Sequence, residues 1–202
     1  MKLYYSPGAC SLSPHIVLHE AGLAYTPVLA STKSHKLQDG TDFYSINPLG
    51  YVPMLELDDG TRLREGPAIV QYLADQAPHK NLAPAHGTLA RYRLQEWLNF
   101  IGTEVHKGFT PLFKPNTPEA YKPIAREGLL SRLSWVDGEL AGKDYLMGEH
   151  FSVADAYLFA VTGWAPHVGL DISHLKHIAA WRERVAARPG VQAALKAEGL
   201  LK

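Results

Sequence analysis

The sequence predicts two domains of different class: a small α/β domain with a mixed sheet over residues 1–80, and an all-helical domain over residues 87–202. Three observations predict this. The opening stretch alternates strand-like and helix-like runs. Asp58-Asp59-Gly60 between two apolar runs is a hairpin signal and forces an antiparallel pair into that sheet. From residue 88 onward every apolar pattern has helical spacing.

Each element has its own reason. Leu3 to Tyr5 reads as a strand, and Ser11 to Ala21 as a helix with Gly22 placed to close it in the left-handed region. Tyr25 to Leu29 reads as a second strand, which Pro27 marks as an edge or irregular one. Ala30 to Asn47 is polar and aperiodic, a loop with room for one helical turn. Met54–Leu57 and Thr61–Leu63 form the hairpin, and Gly66-Pro67 opens a helix to about Gln76, the proline costing little at a helix start. The Pro/His/Gly-rich run 78–87 is the linker. Beyond it, Thr88 to Phe109 carries Trp97, Leu98, Ile101 and Val105 at helical spacing, and Pro111, Pro115 and Pro118 interrupt the pattern. Ala120 to Leu140 reads as a second long helix. Ser152 and Asp155 make a capping-box variant ahead of an apolar run. Ala179–Ala187 and Val191–Ala197 are split by Pro189-Gly190.

Composition narrows the function. The chain of 202 residues is 46% hydrophobic and 20% charged, normal for a protein with a real core. A formal net charge of zero gives no pull toward nucleic acid or an anionic membrane, and neither is expected as a partner. No apolar run suits a transmembrane helix, and the start, Met-Lys-Leu-Tyr-Tyr, turns polar too soon for a signal peptide. One cysteine fits a reducing compartment, so a cytoplasmic location is expected.

That cysteine, Cys10, follows a strand and a turn and precedes a helix, where unpaired N–H groups and the helix dipole favour thiolate. A buried structural thiol is the alternative. The string Cys10-Ser11-Leu12-Ser13 is a C-x-x-S at a strand-to-helix junction, the place of a thioredoxin-like redox motif with serine at the resolving position. A mixed disulfide at Cys10 would need an outside thiol to resolve it. Val52-Pro53 reads either as an ordinary turn or as a cis bond presenting the Val52 backbone to a peptide-like ligand. Glu65-Gly66-Pro67 reads either as an acidic residue complementing a helix dipole or as a two-signed site for an α-amino acid end group; local sequence favours the first. Asn99, Glu104, His106 and Lys107 read as a solvated face in which Glu104 pairs with Lys107, or as a cleft lining in which His106 relays a proton. His15 and His19 lack a third ligand at suitable spacing, so no metal site is expected.

Taken together, these residues resemble the glutathione transferases, specifically the bacterial beta class. The resemblance rests on the first fifteen residues through Cys10 to His15, Ile46-Asn47-Pro48 with Val52-Pro53, Glu65 to Leu73, Trp97 to Phe100, Glu104 to Lys107, and Ser152 to Tyr157. It covers essentially the whole chain. It implies a thioredoxin-like N-terminal domain with a four-stranded mixed sheet, and an all-α domain that contributes the electrophile pocket. It implies a homodimer that conjugates glutathione to small hydrophobic electrophiles, with glutathione as co-substrate and no prosthetic group. Cys10 and His106 would be catalytic, and Cys10 would also hold glutathione as a mixed disulfide, supporting thiol-disulfide exchange or peroxidase activity. Val52 beside a cis Pro53 would bind the cysteinyl backbone, and Glu65 with Gly66 the γ-glutamyl end. Asn99, Thr103, Glu104, His106 and Lys107 would complete the site. Tyr5, Phe109, Phe113, Trp164 and His167 are candidates for the pocket wall. A non-catalytic binding or regulatory protein of the same fold is the competing reading.

One departure from the class stands out. His35, followed by Lys36, stands at the position where the resembled class usually has a lysine for the glycyl carboxylate of glutathione. An unperturbed imidazole is mostly neutral at pH 7, so weaker glutathione binding that tightens as pH falls is expected unless Lys36 takes over.

Overall fold

In the computed structural model, described over residues 1–201, strands β1 (Lys2–Tyr5), β2 (Thr26–Leu29), β3 (Met54–Glu56) and β4 (Arg62–Arg64) form one mixed sheet of order β2-β1-β3-β4. β1 runs parallel to β2 and antiparallel to β3, and β3–β4 is the hairpin, with Leu55 opposite Leu63. Pro27 lies in β2 at the sheet edge, where its missing N–H costs no ladder bond on the open side. The hairpin turn closes through Gly60 N–H to Leu57 O and Thr61 N–H to Asp59 Oδ1.

Alternation along β1 sends neighbouring side chains to opposite faces of the sheet. Leu3 is fully buried. Helices α1 (Leu12–Ala21) and α2 (Gly66–Gln76) pack against each other. Tyr4 joins Met54, Val52, Ala30 and Phe43 in a second buried cluster, closed by the 30–47 loop, whose one helical turn is the 3₁₀ segment Phe43–Ser45. Gly22 ends α1 in the left-handed conformation, φ 68°.

The helical residues comprise α3 (Leu89–Phe100), a π-helical turn Ile101–His106, α4 (Lys107–Phe113), α5 (Lys122–Glu139), α6 (Val153–Thr162), α7 (Lys176–Ala186) and α8 (Pro189–Ala197). Thr88 caps α3, its Oγ1 accepting from Arg91 N–H. The expected single helix from Thr88 to Phe109 is therefore two α-helices joined by a π turn. Pro111 sits inside α4 without ending it at once, since a proline forgoes only its own N–H bond and the helix stops two residues later. Every residue of α6 is buried, which makes it the central helix of its unit. Asp155 accepts from Ser152 N–H, Ser152 Oγ, Leu146 N–H and Trp181 Nε1, each at 2.9 Å. No helix among the described residues is long and apolar enough to cross a membrane.

The chain divides into two compact units, Met1–Ala83 together with the segment from Arg188 onward, and Pro84–Ala187. The break falls inside the 78–87 linker. The closing segment corrects the boundary drawn at 87–202: α8 packs on α1 of the first unit. Val191 and Ala194 are buried. Arg188 pairs with Glu20 at 2.7 Å, and Gly190 sits so close to Glu20 that a Cβ there would lie 2.7 Å from its Oε1. Helical spacing predicts a helix but not which neighbour buries its apolar side, so pattern alone placed α8 with the preceding helices.

Candidate active site

In the first unit the loop before α1 is held from three directions. Ser11 is fully buried, and its Oγ donates to Ser6 O (3.2 Å) while accepting from Ser6 N–H (3.1 Å). Gly8 N–H donates to Glu198 Oε2 at 2.8 Å, reaching a residue just past α8. Ser13 N–H and Oγ both donate to the Cys10 carbonyl, at 3.1 and 3.0 Å. Ser13 is thus buried and committed to backbone. The partly exposed Cys10 sits two residues ahead of α1, and its Sγ donates to Val52 O at 3.3 Å. A carbonyl facing the sulfur suits the thiol form, which tempers the expectation of a helix-stabilised thiolate.

The Val52–Pro53 peptide is cis. Val52 N–H has no partner among the described residues. The same holds for Gly66 N–H at the start of α2, one of the donors a helix leaves unpaired. A Cβ built on Gly66 would lie 3.9 Å from both Pro53 Cγ and Ser13 Oγ, so the starts of α1 and α2 and the Val52–Pro53 bend converge on one spot. Beside it Glu65 has φ 67° and ψ 114°, outside the usual regions for a residue with a side chain, and its exposed carboxylate has no partner among the described residues. Strain of this kind persists where the surroundings impose it, often at ligand sites.

His35 lies on the adjoining loop, also at positive φ (52°). Its Nδ1 donates to Gly50 O at 3.2 Å and its ring lies on Tyr44, centroids 4.7 Å apart. A carbonyl only accepts, so the neutral ring keeps its proton on Nδ1 and presents Nε2 as a lone pair. Gly50 is required here: a Cβ would stand 2.6 Å from Tyr44 and 3.0 Å from His35 Nδ1. Lys36 is exposed on the same loop.

The second unit carries the remaining candidates on three consecutive segments. Asn99 lies in the last turn of α3 and is exposed. Thr103, Glu104 and His106 lie on the π turn, and Lys107 opens α4. Thr103 Oγ1 donates to Asn99 O at 3.1 Å. Glu104 pairs with Arg132 of α5 at 2.9 Å, not with Lys107 as the i,i+3 spacing suggested, because the π turn alters the face on which each residue falls. His106 is partly buried, its Nδ1 2.6 Å from the Tyr157 hydroxyl and its ring 4.9 Å edge-on from Trp164. Burial, with the Lys107 charge adding to it, pushes its pKa down to about 4, so the ring is neutral at pH 7. Phe109, Phe113 and Trp164 form one aromatic cluster beside it. His167 is exposed on a separate 3₁₀ turn, and Tyr5 lies in the first unit against His15.

Three participants escaped sequence reasoning: Glu198, Arg132 and Tyr157. Each acts across tens of residues or more, where no local spacing rule applies. His15, expected only as a weak metal candidate, donates through Nδ1 to Glu198 Oε1 at 2.8 Å, and Tyr25 bridges its Nε2 to His19 Nε2 at 2.6 and 3.0 Å. Among the described residues no group of three or more His, Cys, Asp or Glu is arranged to hold a metal ion.

The family model for "Glutathione S-transferase, N-terminal domain" matches residues 8–76, and that for "Glutathione S-transferase, C-terminal domain" matches residues 100–189. The chain belongs to the glutathione S-transferase family. It is 51% identical over 200 residues to Glutathione S-transferase GstA of Escherichia coli O157:H7, covering 99% of this chain and all of that protein. Among solved structures, the ternary complex of BphK, a bacterial GST, superposes with a TM-score of 0.97 at 54% identity, covering 99% of this chain and 100% of that one. The beta-class glutathione S-transferase of Sphingomonas chungbukensis superposes at 0.96 and 49% identity over the full length of both. The protein is therefore a glutathione transferase of beta-class type, with glutathione as its substrate, and its first unit is the thioredoxin-like domain. The transferase reading prevails over the non-catalytic one.

Proposed function

We propose that Cys10 gives this glutathione transferase a second output, glutathione-dependent thiol-disulfide exchange, alongside conjugation. In conjugation the sulfur of glutathione is the nucleophile: its thiolate forms a bond to the electrophilic carbon, and the leaving group departs with the bonding pair. In exchange the Cys10 thiolate attacks the glutathione sulfur of a substrate's mixed disulfide, forms the Cys10–glutathione disulfide and expels the substrate thiolate; the thiolate of a second glutathione then attacks that disulfide, leaving as glutathione disulfide and restoring the Cys10 thiolate. A peroxide would enter the same cycle by oxidising Cys10 to a sulfenic acid, which one glutathione converts to the mixed disulfide with loss of water. The observation that carries this reading is the convergence of a partly exposed thiol with two unpaired backbone donors and an unpaired carboxylate.

In this reading Val52 N–H takes the cysteinyl carbonyl beside Pro53. Gly66 N–H and the start of α2 take the γ-glutamyl carboxylate, and Glu65 takes its ammonium. His35, with Lys36 beside it, takes the glycyl carboxylate. Asn99, Thr103, Glu104, His106 and Lys107 act from the helical unit, whose Phe109–Phe113–Trp164 cluster offers an apolar wall to small hydrophobic electrophiles. The working form is a homodimer in the cytoplasm, where reduced glutathione keeps the cycle running. The test is a mass spectrum of the purified protein after exposure to glutathione disulfide. A gain of one glutathione, lost on reduction and absent in Cys10→Ala, is expected. No adduct in the wild type contradicts the proposal.

A further inference from the structure

We propose that Tyr157 is a positioning residue that fixes His106 as the tautomer protonated on Nε2, so that the imidazole presents a hydrogen-bond donor there and not a base. The inference rests on the reading that His106 belongs to the catalytic site.

The geometry is direct. Tyr157 lies on α6, two residues past Asp155, whose four hydrogen bonds secure the start of that helix. Its hydroxyl is 2.6 Å from His106 Nδ1, a short contact for this kind of pair. The tyrosine is 3% exposed, and the two rings meet edge-on. Trp164 closes another side of the imidazole, so its orientation is set by two aromatic rings. The π turn places His106 there, and His106 Nε2 has no partner among the described residues. A wide helical turn that ends in a partly buried, half-satisfied imidazole is the kind of irregularity that clusters at functional sites.

The direction of the hydrogen bond follows from acid–base chemistry. A neutral imidazole has one nitrogen that donates and one that accepts. A phenol, with an ordinary pKa near 10, is a good donor, and its oxygen is a weaker acceptor than a pyridine-like ring nitrogen. The favourable arrangement is Tyr157 O–H donating to Nδ1, which leaves the proton on Nε2. The ring stays neutral at pH 7, so this tautomer persists through the working range instead of giving way to imidazolium. An Nε2–H pointed at a thiolate stabilises the anion without removing a proton from it.

The test is nitrogen-15 NMR of the histidine side chains in the whole protein at pH 7, with the His106 signals assigned from the spectrum of His106→Ala. The expected result is a protonated Nε2 and an unprotonated, hydrogen-bonded Nδ1. In Tyr157→Phe the tautomer shifts toward a mixture. There kcat for conjugation of a chloronitrobenzene falls about three- to tenfold, the size expected for one net hydrogen bond, while KM for glutathione moves little. A proton on Nδ1 in the wild type overturns the inference, as does a Tyr157→Phe spectrum with the His106 tautomer unchanged; the wild-type spectrum decides even where the variant folds poorly. Unimpaired conjugation by His106→Ala would sink the underlying reading of His106, whatever the tautomer.

Discussion

Each of the two units is organised around one buried carboxylate, and the two are anchored in opposite ways. In the helical unit Asp155 is fully buried and collects its donors mainly from its own surroundings: Ser152 twice, Leu146, and Trp181 from α7. In the thioredoxin-like unit Glu198 is nearly as buried, yet it ties together residues from the far end of the chain, Gly8 at 190 positions' separation and His15 at 183. The first arrangement holds a fully buried helix against which α3, the π turn and α7 pack. The second holds the loop that carries Cys10. Stability of the core is thus built locally, and the placement of the reactive thiol is built by closing the chain on itself.

Substitution of the two carboxylates sharpens this contrast. Asp155→Ala orphans four buried donors, and a loss on the order of 3–5 kcal/mol of stability is expected by denaturant unfolding. Glu198→Ala removes the acceptor of Gly8 N–H and His15 Nδ1, for about 2–3 kcal/mol, and takes one tether from the loop ahead of Cys10, so the rate of Cys10 modification by a thiol reagent changes while the rest of the protein stays folded. Equal effects of Asp155→Ala and Glu198→Ala on Cys10 reactivity, once corrected for stability, would break the comparison. A smaller effect is expected at His35. Its Nδ1 is committed to Gly50 O, which leaves Nε2 to face a ligand. Glutathione affinity, by titration calorimetry, is expected to fall about two- to fivefold in His35→Ala, and further when Lys36→Ala is added. Unchanged affinity in both variants would remove His35 from the site.

The comparison also explains what the sequence made legible. The Asp58-Asp59-Gly60 hairpin, the Pro27 edge strand and the Ser152/Asp155 cap are local devices, and each appears where short-range rules place it. The π turn was hidden because Trp97 to Val105 keeps an apolar pattern compatible with an ordinary helix, so the Glu104–Arg132 pair and the Tyr157 contact stayed out of sight. The placement of α8 was hidden for the same reason as Glu198: a terminal helix with one apolar side fits any apolar surface. The candidate site residues were legible only as a set. Each of Val52, Glu65 and His106 alone supports an ordinary structural reading, and it is the unpaired Val52 and Gly66 donors, the strained Glu65 backbone and the half-satisfied imidazole that favour function.

The most direct test of the account is the division of labour at Cys10, read by assaying Cys10→Ala for two activities in one preparation. Glutathione-dependent disulfide reduction is expected to be lost, while conjugation to a chloronitrobenzene stays within about threefold of the wild type. Full disulfide reduction by Cys10→Ala would contradict it.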